Sequence, residues 1–241
     1  MGGTTVIADT GVPPPIDVSN AANAGCLSFE MSSGRQHFIV NCGVDTYGAA
    51  EFRPLARATA AHSTATLNDT SSARFNHSIR VNDMDSPPLI GGPRHVPCRR
   101  TDEAGAQGFI ASHDGYVARF SLYHERELSL SSGGNVLAGT DRFLRSGGAP
   151  ARNNGRDFVT IRFHLHPEVE LFHDEEERLV LSAPNADRWV LSCDEVAPAI
   201  EESIYFAGLG GPRHSRQVVL AFKASDLQEV HWQLTRTHVA G

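Results

Sequence analysis

Two histidines alternate on the stretch FVTIRFHLH, with a spacing that suits metal binding. Successive side chains of a strand point to opposite faces, so the apolar residues at 159, 161, 163 and 165 would pack in a core while His164 and His166 share the other face. Imidazoles at positions i and i+2 of one face can hold a metal ion together. His173 or His231 would have to complete such a site. The alternative is a face that is solvated or rests on a neighbouring domain.

An acidic run, HDEEE at 173–177, invites a second cation-site interpretation. It lacks the alternating ligands and the central glycine of an EF-hand loop. We therefore expect a solvated turn between two strands, VELF and RLVLS.

The four cysteines do not form a CxxC pair, which argues against a zinc finger or a thioredoxin-like site. A hairpin that turns at 33–35 would set Cys26 nearly opposite Cys42. The sequence leaves two possibilities open for this pair, a disulfide or two buried free thiols.

Net charge and hydropathy exclude several classes of partner. The formal net charge is -7, whereas nucleic acids and anionic membranes require clustered cations. No apolar run approaches the roughly 18–20 residues that span a bilayer, and the N-terminus lacks the basic start and apolar segment of a signal peptide. The composition is that of an ordinary soluble protein.

Period-two alternation dominates the chain and predicts an all-β fold. A dozen short candidate strands, separated by Gly, Pro, Asn, Asp and Ser, indicate an antiparallel multi-stranded β-sandwich with little helix. We expect one domain over 1–241, with long loops near 43–62 and 83–106. The candidate strands are CLSFEM, HFIVNC, SIRVN, GFIAS, YVARFSLY, RELSLS, FVTIRFHLH, RLVLS, RWVLS, SIYF, QVVLAFK and EVHWQLTR.

An ordered series of segments resembles the C-terminal β-sandwich of the heparinase II/III family of polysaccharide lyases. The series is AGCLSFEMSSGRQHFIVNCGVDTY, RATAAHSTATLND, ASHDGY, HERELSL, RFHLHPEV, and ESIYF followed by RQVVLAF. It covers nearly the whole chain in the family's order. The resemblance implies that this is the C-terminal part of a longer protein, whose N-terminal α/α toroid is missing here.

The resemblance also implies a chemistry, β-elimination on uronate-containing acidic polysaccharides. A base removes the C5 proton beside the uronate carboxylate, whose charge must be neutralised, and an acid protonates the departing oxygen. The family's catalytic tyrosine lies in the toroid. Family lyases are usually periplasmic or secreted, although the chain itself carries no such signal.

The family's own site residues are replaced in this chain. A segment of the form H-x-H-x-D, an aspartate and a later histidine supply one catalytic histidine and a structural zinc site in family enzymes. The matching positions read Ala21, Asn23, Gly25 and Asn41, and only His62 remains. Asparagine is a poor zinc ligand. We therefore expect no cofactor and a degenerate site in which Asn23, Asn41 and His62 bond to one another. The alternative is that both asparagines cap strand ends.

The residues that might still act are few. His62, His113 and Tyr116 are the catalytic candidates. Arg53, Arg57 and Tyr47 are the candidates for binding a substrate, since arginine pairs with carboxylates in a bidentate manner.

Two functions follow from these residues. One is the sandwich half of a lyase, inactive as an isolated domain, forming one wall of a cleft for an acidic polysaccharide. The other is a non-catalytic carbohydrate-binding or interaction module whose metal site has degenerated. No nucleic acid or membrane partner is expected.

Overall fold

The computed structural model describes residues 3–44, 52–79, 86–103, 105–152, 155–208 and 210–238. Within them, two antiparallel sheets pack face to face, and a small two-stranded ribbon lies beside them. The predicted all-β sandwich is confirmed.

The first sheet has seven strands among the described residues, numbered in chain order. In spatial order they are β1 (Thr4–Ala8), β2 (Phe29–Ser33), β3 (Gln36–Val40), β11 (Phe158–Leu165), β16 (Arg213–Lys223) and β15 (Ala199–Tyr205), with β4 (Ala65–Leu67) also paired to β11.

The second sheet has eight strands in the described part of the chain. In spatial order they are β12 (Glu170–His173), β13 (Leu179–Ser182), β14 (Arg188–Cys193), β17 (Glu229–His238), β10 (Val136–Leu144), β9 (Tyr123–Leu130), β8 (Ala106–His113) and β7 (Cys98–Glu103).

Short elements connect the sheets. They are the ribbon strands β5 (Arg74–Phe75) and β6 (Leu89–Gly91), the helices α1 (Arg53–Arg57) and α2 (Val117–Phe120), and 3-10 turns at Ile16–Val18, Thr59–Ala61 and Ser146–Gly148. None of the described helices is long and apolar enough to cross a membrane.

The core lies between the sheets and follows the predicted alternation. The inward residues of β11, at 159, 161, 163 and 165, are at most 1% exposed. Phe163 meets the Trp232 ring of the opposite sheet edge-on at 4.8 Å, and Phe29 stacks on the same indole at 5.4 Å. Aromatic contacts of this kind join the two layers.

The structure corrects four of the predicted elements. YVARFSLY is not one strand, because Val117–Phe120 forms α2 before β9 begins at Tyr123. The expected loop near 83–106 contains β6 and β7, and the one near 43–62 contains α1. SIRVN is not a strand at 78–79, and its remaining residues lie outside the described part.

The β2–β3 hairpin also has a different register from the predicted one. A turn at 33–35 would pair Met31 with His37, but Met31 pairs with Ile39 and His37 with Ser32. A two-residue turn at 34–35 and a bulge between Met31 and Ser32 together produce this shift. A shift of this size moves the residues that precede β2 relative to those that follow β3.

Candidate functional site

His62, the remaining histidine of the expected site, is fixed in the interior. It directly follows the 3-10 turn Thr59–Ala61 and is 5% exposed. Its Nδ1 lies 2.8 Å from the carbonyl oxygen of Ala58, which only accepts, so Nδ1 donates. Burial lowers the pKa of His62 and outweighs the opposing effect of Asp9 and Glu30. The imidazole is therefore neutral at pH 7, with Nε2 unprotonated.

Gly25 lies directly against the His62 ring. A Cβ atom at Gly25 would lie 2.6 Å from His62 Cδ2 and 3.1 Å from Nε2. Such distances are too short for a side chain. The resemblance implies an aspartate at position 25, but an aspartate fits there only if the imidazole moves.

The two asparagines do not join His62. Asn41 donates from Nδ2 to Glu30 Oε1 at 3.1 Å and accepts from the amide of Ser63 at 2.9 Å. Asn23 is exposed and has no hydrogen bond within the described residues. The predicted mutual cluster of Asn23, Asn41 and His62 is therefore not formed, and the shifted hairpin register explains why.

The residues at these positions do not fit the zinc ion that the resemblance implies. Ala21 and Gly25 offer no donor atom, and Asn41 is occupied by Glu30 and Ser63. In the described part of the chain, no three His, Cys, Asp or Glu side chains are grouped so as to hold a metal. At these described positions, His62 Nε2 and the neutral amide oxygen of Asn23, which is a poor zinc ligand, are what remains of a donor set.

Arg57 serves the fold rather than a substrate. Its guanidinium is 3% exposed and donates to the carbonyls of Ser19, Ala22 and Pro87 and to the hydroxyl of Ser86, at 2.6–2.8 Å. It is thus fully engaged inside the protein and is not available to a carboxylate from outside.

The other substrate-binding candidates lie elsewhere or beyond the described residues. Arg53 begins α1 and is half-buried, with no ion pair or hydrogen bond in the described part of the chain. Tyr47 lies outside the described residues.

His113 and Tyr116 are buried anchors at the end of β8. The Tyr116 hydroxyl donates to the carbonyl of Ala65 at 2.7 Å, and burial raises its pKa far above the ordinary value. His113 Nδ1 accepts the amide of Gly115 at 3.1 Å. The pKa of His113 lies well below its usual value. Burial is the largest cause, and the nearby His124 and Arg126 lower it further. Neither side chain is placed to exchange a proton with a ligand in solvent, since both are 1% exposed.

His164 and His166 are in different surroundings. His164 is buried, donates from Nε2 to the Ala60 carbonyl at 2.9 Å, and accepts at Nδ1 from Ser203 at 2.9 Å. Burial lowers its pKa to about 3. His166 is half-buried, and its ring packs edge-on against Tyr205 at 5.3 Å. Both nitrogens of His164 are satisfied by protein, so the pair is not arranged to share a metal ion.

The other two histidines proposed for that site are engaged elsewhere or exposed. His231 pairs with Glu195 at 2.7 Å, while His173 ends β12. The acidic run forms the predicted turn, in which Asp174 Oδ1 accepts the amides of Glu176 and Arg178.

Cys26 and Cys42 are free thiols rather than a disulfide. They lie in separate apolar clusters, Cys26 with Leu27 and Ala111, and Cys42 with Ala56 and Phe206. Burial raises the pKa of Cys26 to about 12 and that of Cys42 to about 11. Both are protonated at pH 7 and are poor nucleophiles.

A buried charged network that the sequence analysis did not identify lies beneath this region. Asp141 on β10 accepts from Arg126 Nε at 2.8 Å and Nη2 at 3.0 Å, from Trp232 Nε1 at 2.9 Å, and from His124 Nε2 at 2.7 Å. The Arg126, Asp141 and His124 side chains are fully buried. Burial opposes ionisation of Asp141, but the charge of Arg126 and the bond from His124 outweigh it and lower the pKa of the carboxyl.

This network connects the second sheet to the loop that resembles the family's site. Arg126 Nη1 donates to the carbonyls of Leu27 and Ser63, both at 2.8 Å. Leu27 has a φ of 61°, which is uncommon for a non-glycine residue. Arg126 therefore holds both the chain that follows Gly25 and the chain that follows His62. The segment HERELSL indicates that these two side chains point inward, because His124 and Arg126 alternate in phase with two inward leucines.

Two solved lyase structures are similar to this chain. Heparan sulfate lyase HepC from Pedobacter heparinus has a TM-score of 0.70 and 13% identity, over 100% of this chain and 34% of that one. Heparinase III has a TM-score of 0.60 and 13% identity, over 91% of this chain and 30% of that one. At these identities the likeness concerns the fold alone.

A curated relative is more similar in sequence. FtsZ-localized protein C from Caulobacter vibrioides (strain NA1000 / CB15N) is 30% identical over 243 aligned residues, covering 98% of this chain. The chain spans 41% of that relative's length.

The sequence also matches the family described as Heparinase II/III-like, C-terminal, over residues 1–233. The chain thus belongs to the heparinase II/III-like C-terminal family.

Proposed function

We propose that this chain is a non-catalytic interaction module built on the sandwich of a polysaccharide lyase. The observation that carries the proposal is the contact between Gly25 and His62. Where the resemblance places the aspartate of its H-x-H-x-D segment, this chain has Gly25, whose backbone lies directly against the His62 ring, and Ala21 stands where a catalytic histidine would be. Alanine can neither accept a proton nor stabilise a developing charge.

The remaining candidate groups support the same proposal. His62 is neutral, buried and bonded to the backbone, and Tyr116 and His113 are enclosed. Arg57 is occupied by four protein oxygens. A lyase needs a base, an acid and a group that neutralises the substrate carboxylate, all exposed in one cleft. These side chains are instead buried and contact other parts of the protein.

We further propose that the interaction partner is FtsZ or an assembly that contains it. The name of the 30%-identical relative, FtsZ-localized protein C, is what supports this choice, since the similarity covers 98% of this chain. The proposal concerns the sandwich, because the chain spans less than half of that relative.

Two measurements test the proposal. The chain is incubated with heparin, heparan sulfate and other uronate polysaccharides, and unsaturated uronate is measured by ultraviolet absorbance beside an active heparan sulfate lyase. We expect no product. The chain is also sedimented with and without FtsZ polymerised by GTP, and we expect it to pellet only with polymer. Product release by the chain, or its absence from the FtsZ pellet, contradicts the corresponding half of the proposal.

A second candidate is that the longer parent protein is a lyase whose toroid carries the chemistry. Arg53 favours it, because the residue is partly exposed and has no hydrogen bond or ion pair in the described part of the chain, as binding a substrate carboxylate requires. The parent protein and its Arg53→Gln variant, assayed on the same polysaccharides, decide this candidate. Turnover by the parent that falls in the variant supports it, and an inactive parent excludes it.

A further inference from the structure

A cavity of about 340 Å³ opens beside the stretch where the family's histidines are replaced. Ala21 and Asn23 line it, together with Pro13 and Pro14 from the segment after β1. The volume lies at the lower end of the range for ligand sites, roughly 300–1,000 Å³.

The cavity has mixed walls and its charge is negative. Alanines and prolines are the commonest lining residues, polar atoms contribute more of the surface than apolar ones, and the thiol of Cys26 at its edge is protonated. Asp9 is the one charged group among the described lining residues. Asp114 lies close enough to add to the effect of Asp9 on Cys26. This cavity therefore favours a cation over the anionic sugars on which the related lyases act.

Two polar groups at the rim have unused hydrogen-bonding capacity. Asp9 is exposed, and one of its oxygens, Oδ1, accepts the amide of Gly11 at 3.0 Å. Its other oxygen has no hydrogen bond within the described residues. Asn23 is exposed and offers both a donor and an acceptor.

The cavity is preformed by bonds from the surrounding protein. Arg57 Nε donates to the Ala22 carbonyl at 2.7 Å, and the amide of Ala24 donates to the Arg57 carbonyl at 2.9 Å. On the opposite wall, the Asp9 carbonyl accepts the amide of Leu27 at 2.8 Å. Rigid walls lower the ordering cost of binding. This gives Arg57 a positioning role in place of the carboxylate-binding role expected from the sequence.

We infer that this cavity receives a lysine or arginine side chain projecting from a partner polypeptide. The aliphatic stem would lie against Pro13 and Pro14, and the charged end would pair with Asp9, because long cationic side chains bury their stems and keep their heads near polar groups. The amide of Asn23 would bond to the partner's backbone. This inference rests on the proposed function and specifies what the interaction module recognises.

Sedimentation with FtsZ polymer tests the cavity through four variants of the 241-residue chain. Ala21→Trp fills the cavity from its exposed rim, and Asp9→Asn removes the charge but keeps the oxygen that accepts from Gly11. Matched controls are Ala199→Trp on the exposed edge strand β15 and Asp194→Asn after β14 in the other sheet. We expect the two cavity variants to bind at least about fivefold more weakly and the controls to bind as the unaltered chain does. Equal binding by all five proteins would overturn the inference.

A second measurement decides the inference without FtsZ. N-acetyl-arginine methylamide and its neutral citrulline counterpart are titrated into the labelled chain, and amide shifts are followed by NMR. We expect shifts at Ala22, Asn23 and Ala24 with arginine, none with citrulline, and none for arginine with Asp9→Asn. Absence of shifts with arginine, or equal shifts with citrulline, rejects the cavity. A chain that responds to arginine but does not sediment with FtsZ rejects only the FtsZ proposal.

Discussion

The buried ion pair between Arg126 and Asp141 should dominate the response of this fold to a single substitution. Both side chains are fully buried, joined by contacts of 2.8 and 3.0 Å, and Asp141 also accepts from Trp232 and His124. In Asp141→Asn the side chain keeps its volume, so the change isolates the charge. The guanidinium would then be buried with two carbonyl partners and no counter-charge.

The expected loss is large on the scale of a domain's stability. Breaking a buried pair by removing one partner costs about 3–5 kcal/mol, whereas replacing both partners by apolar residues is often neutral. Asp141→Asn should therefore lower the free energy of unfolding by about 3 kcal/mol or more. The double variant Arg126→Met with Asp141→Leu should be more stable than Asp141→Leu alone.

Urea unfolding followed by tryptophan fluorescence measures these differences, since Trp189 and Trp232 are both buried. Glu229→Gln, which weakens the partly exposed pair with Arg142, serves as the control and should move the urea midpoint little. The reasoning would be refuted if Asp141→Asn cost less than about 1 kcal/mol, or if the losses in the double variant were simply additive.

Three further predictions concern the site and its surroundings. The pKa of His164 is lowered to about 3, so its contribution to stability is complete above the unfolded value near 6.5 and is lost as the pH falls toward 3. In His164→Gln, the slope of unfolding free energy against pH in that window should decrease by up to about 1.4 kcal/mol per pH unit, and an unchanged slope would contradict the assignment. Gly25→Ala should lower the free energy of unfolding, measured in urea, by about 1–3 kcal/mol, because the new Cβ would meet the imidazole of His62. The loss should be smaller in a His62→Ala background, and equal losses in both backgrounds would argue against this contact. In the folded chain, exposed Cys98 should react with a thiol reagent within minutes, while Cys26 should react only on unfolding. Mass spectrometry of labelled peptides would measure both reactions, and early labelling of Cys26 would be inconsistent with its burial.

The hydropathy pattern predicted β11, whose inward residues are all apolar, and missed β10, a central strand whose inward residues are not. On β11, four alternate apolar residues specify both strand and face. On β10, the inward positions include Gly139, whose missing side chain admits the Trp232 ring, and Asp141, which is charged. Alternation of hydropathy therefore fails on β10, because a close packing contact and a buried ion pair occupy positions that are usually apolar.

Local pattern was also insufficient for the hairpin and for the arginines. A bulge at Met31 and Ser32 shifts the register of β3, and the bulge is not evident from the residues alone. Arg57 is a predicted substrate-binding residue, yet it is buried and its partners come from positions up to 38 residues away. Partners that distant are brought together only by the tertiary fold.

The two buried arginines account for the rigidity on which the proposed recognition depends. Arg57 holds the chain at Ser19 and Ala22, and Arg126 holds it at Leu27, so the loop between β1 and β2 is fixed in its middle and close to β2 by guanidinium groups inside the protein. Neither bond depends on a metal ion or a substrate. A polypeptide surface that is already rigid loses little conformational entropy on binding. Docking sites and catalytic sites both depend on this property. Alanine at position 21, where the resemblance implies a histidine, has no group for proton transfer, but the bonds that make this loop rigid do not depend on that side chain.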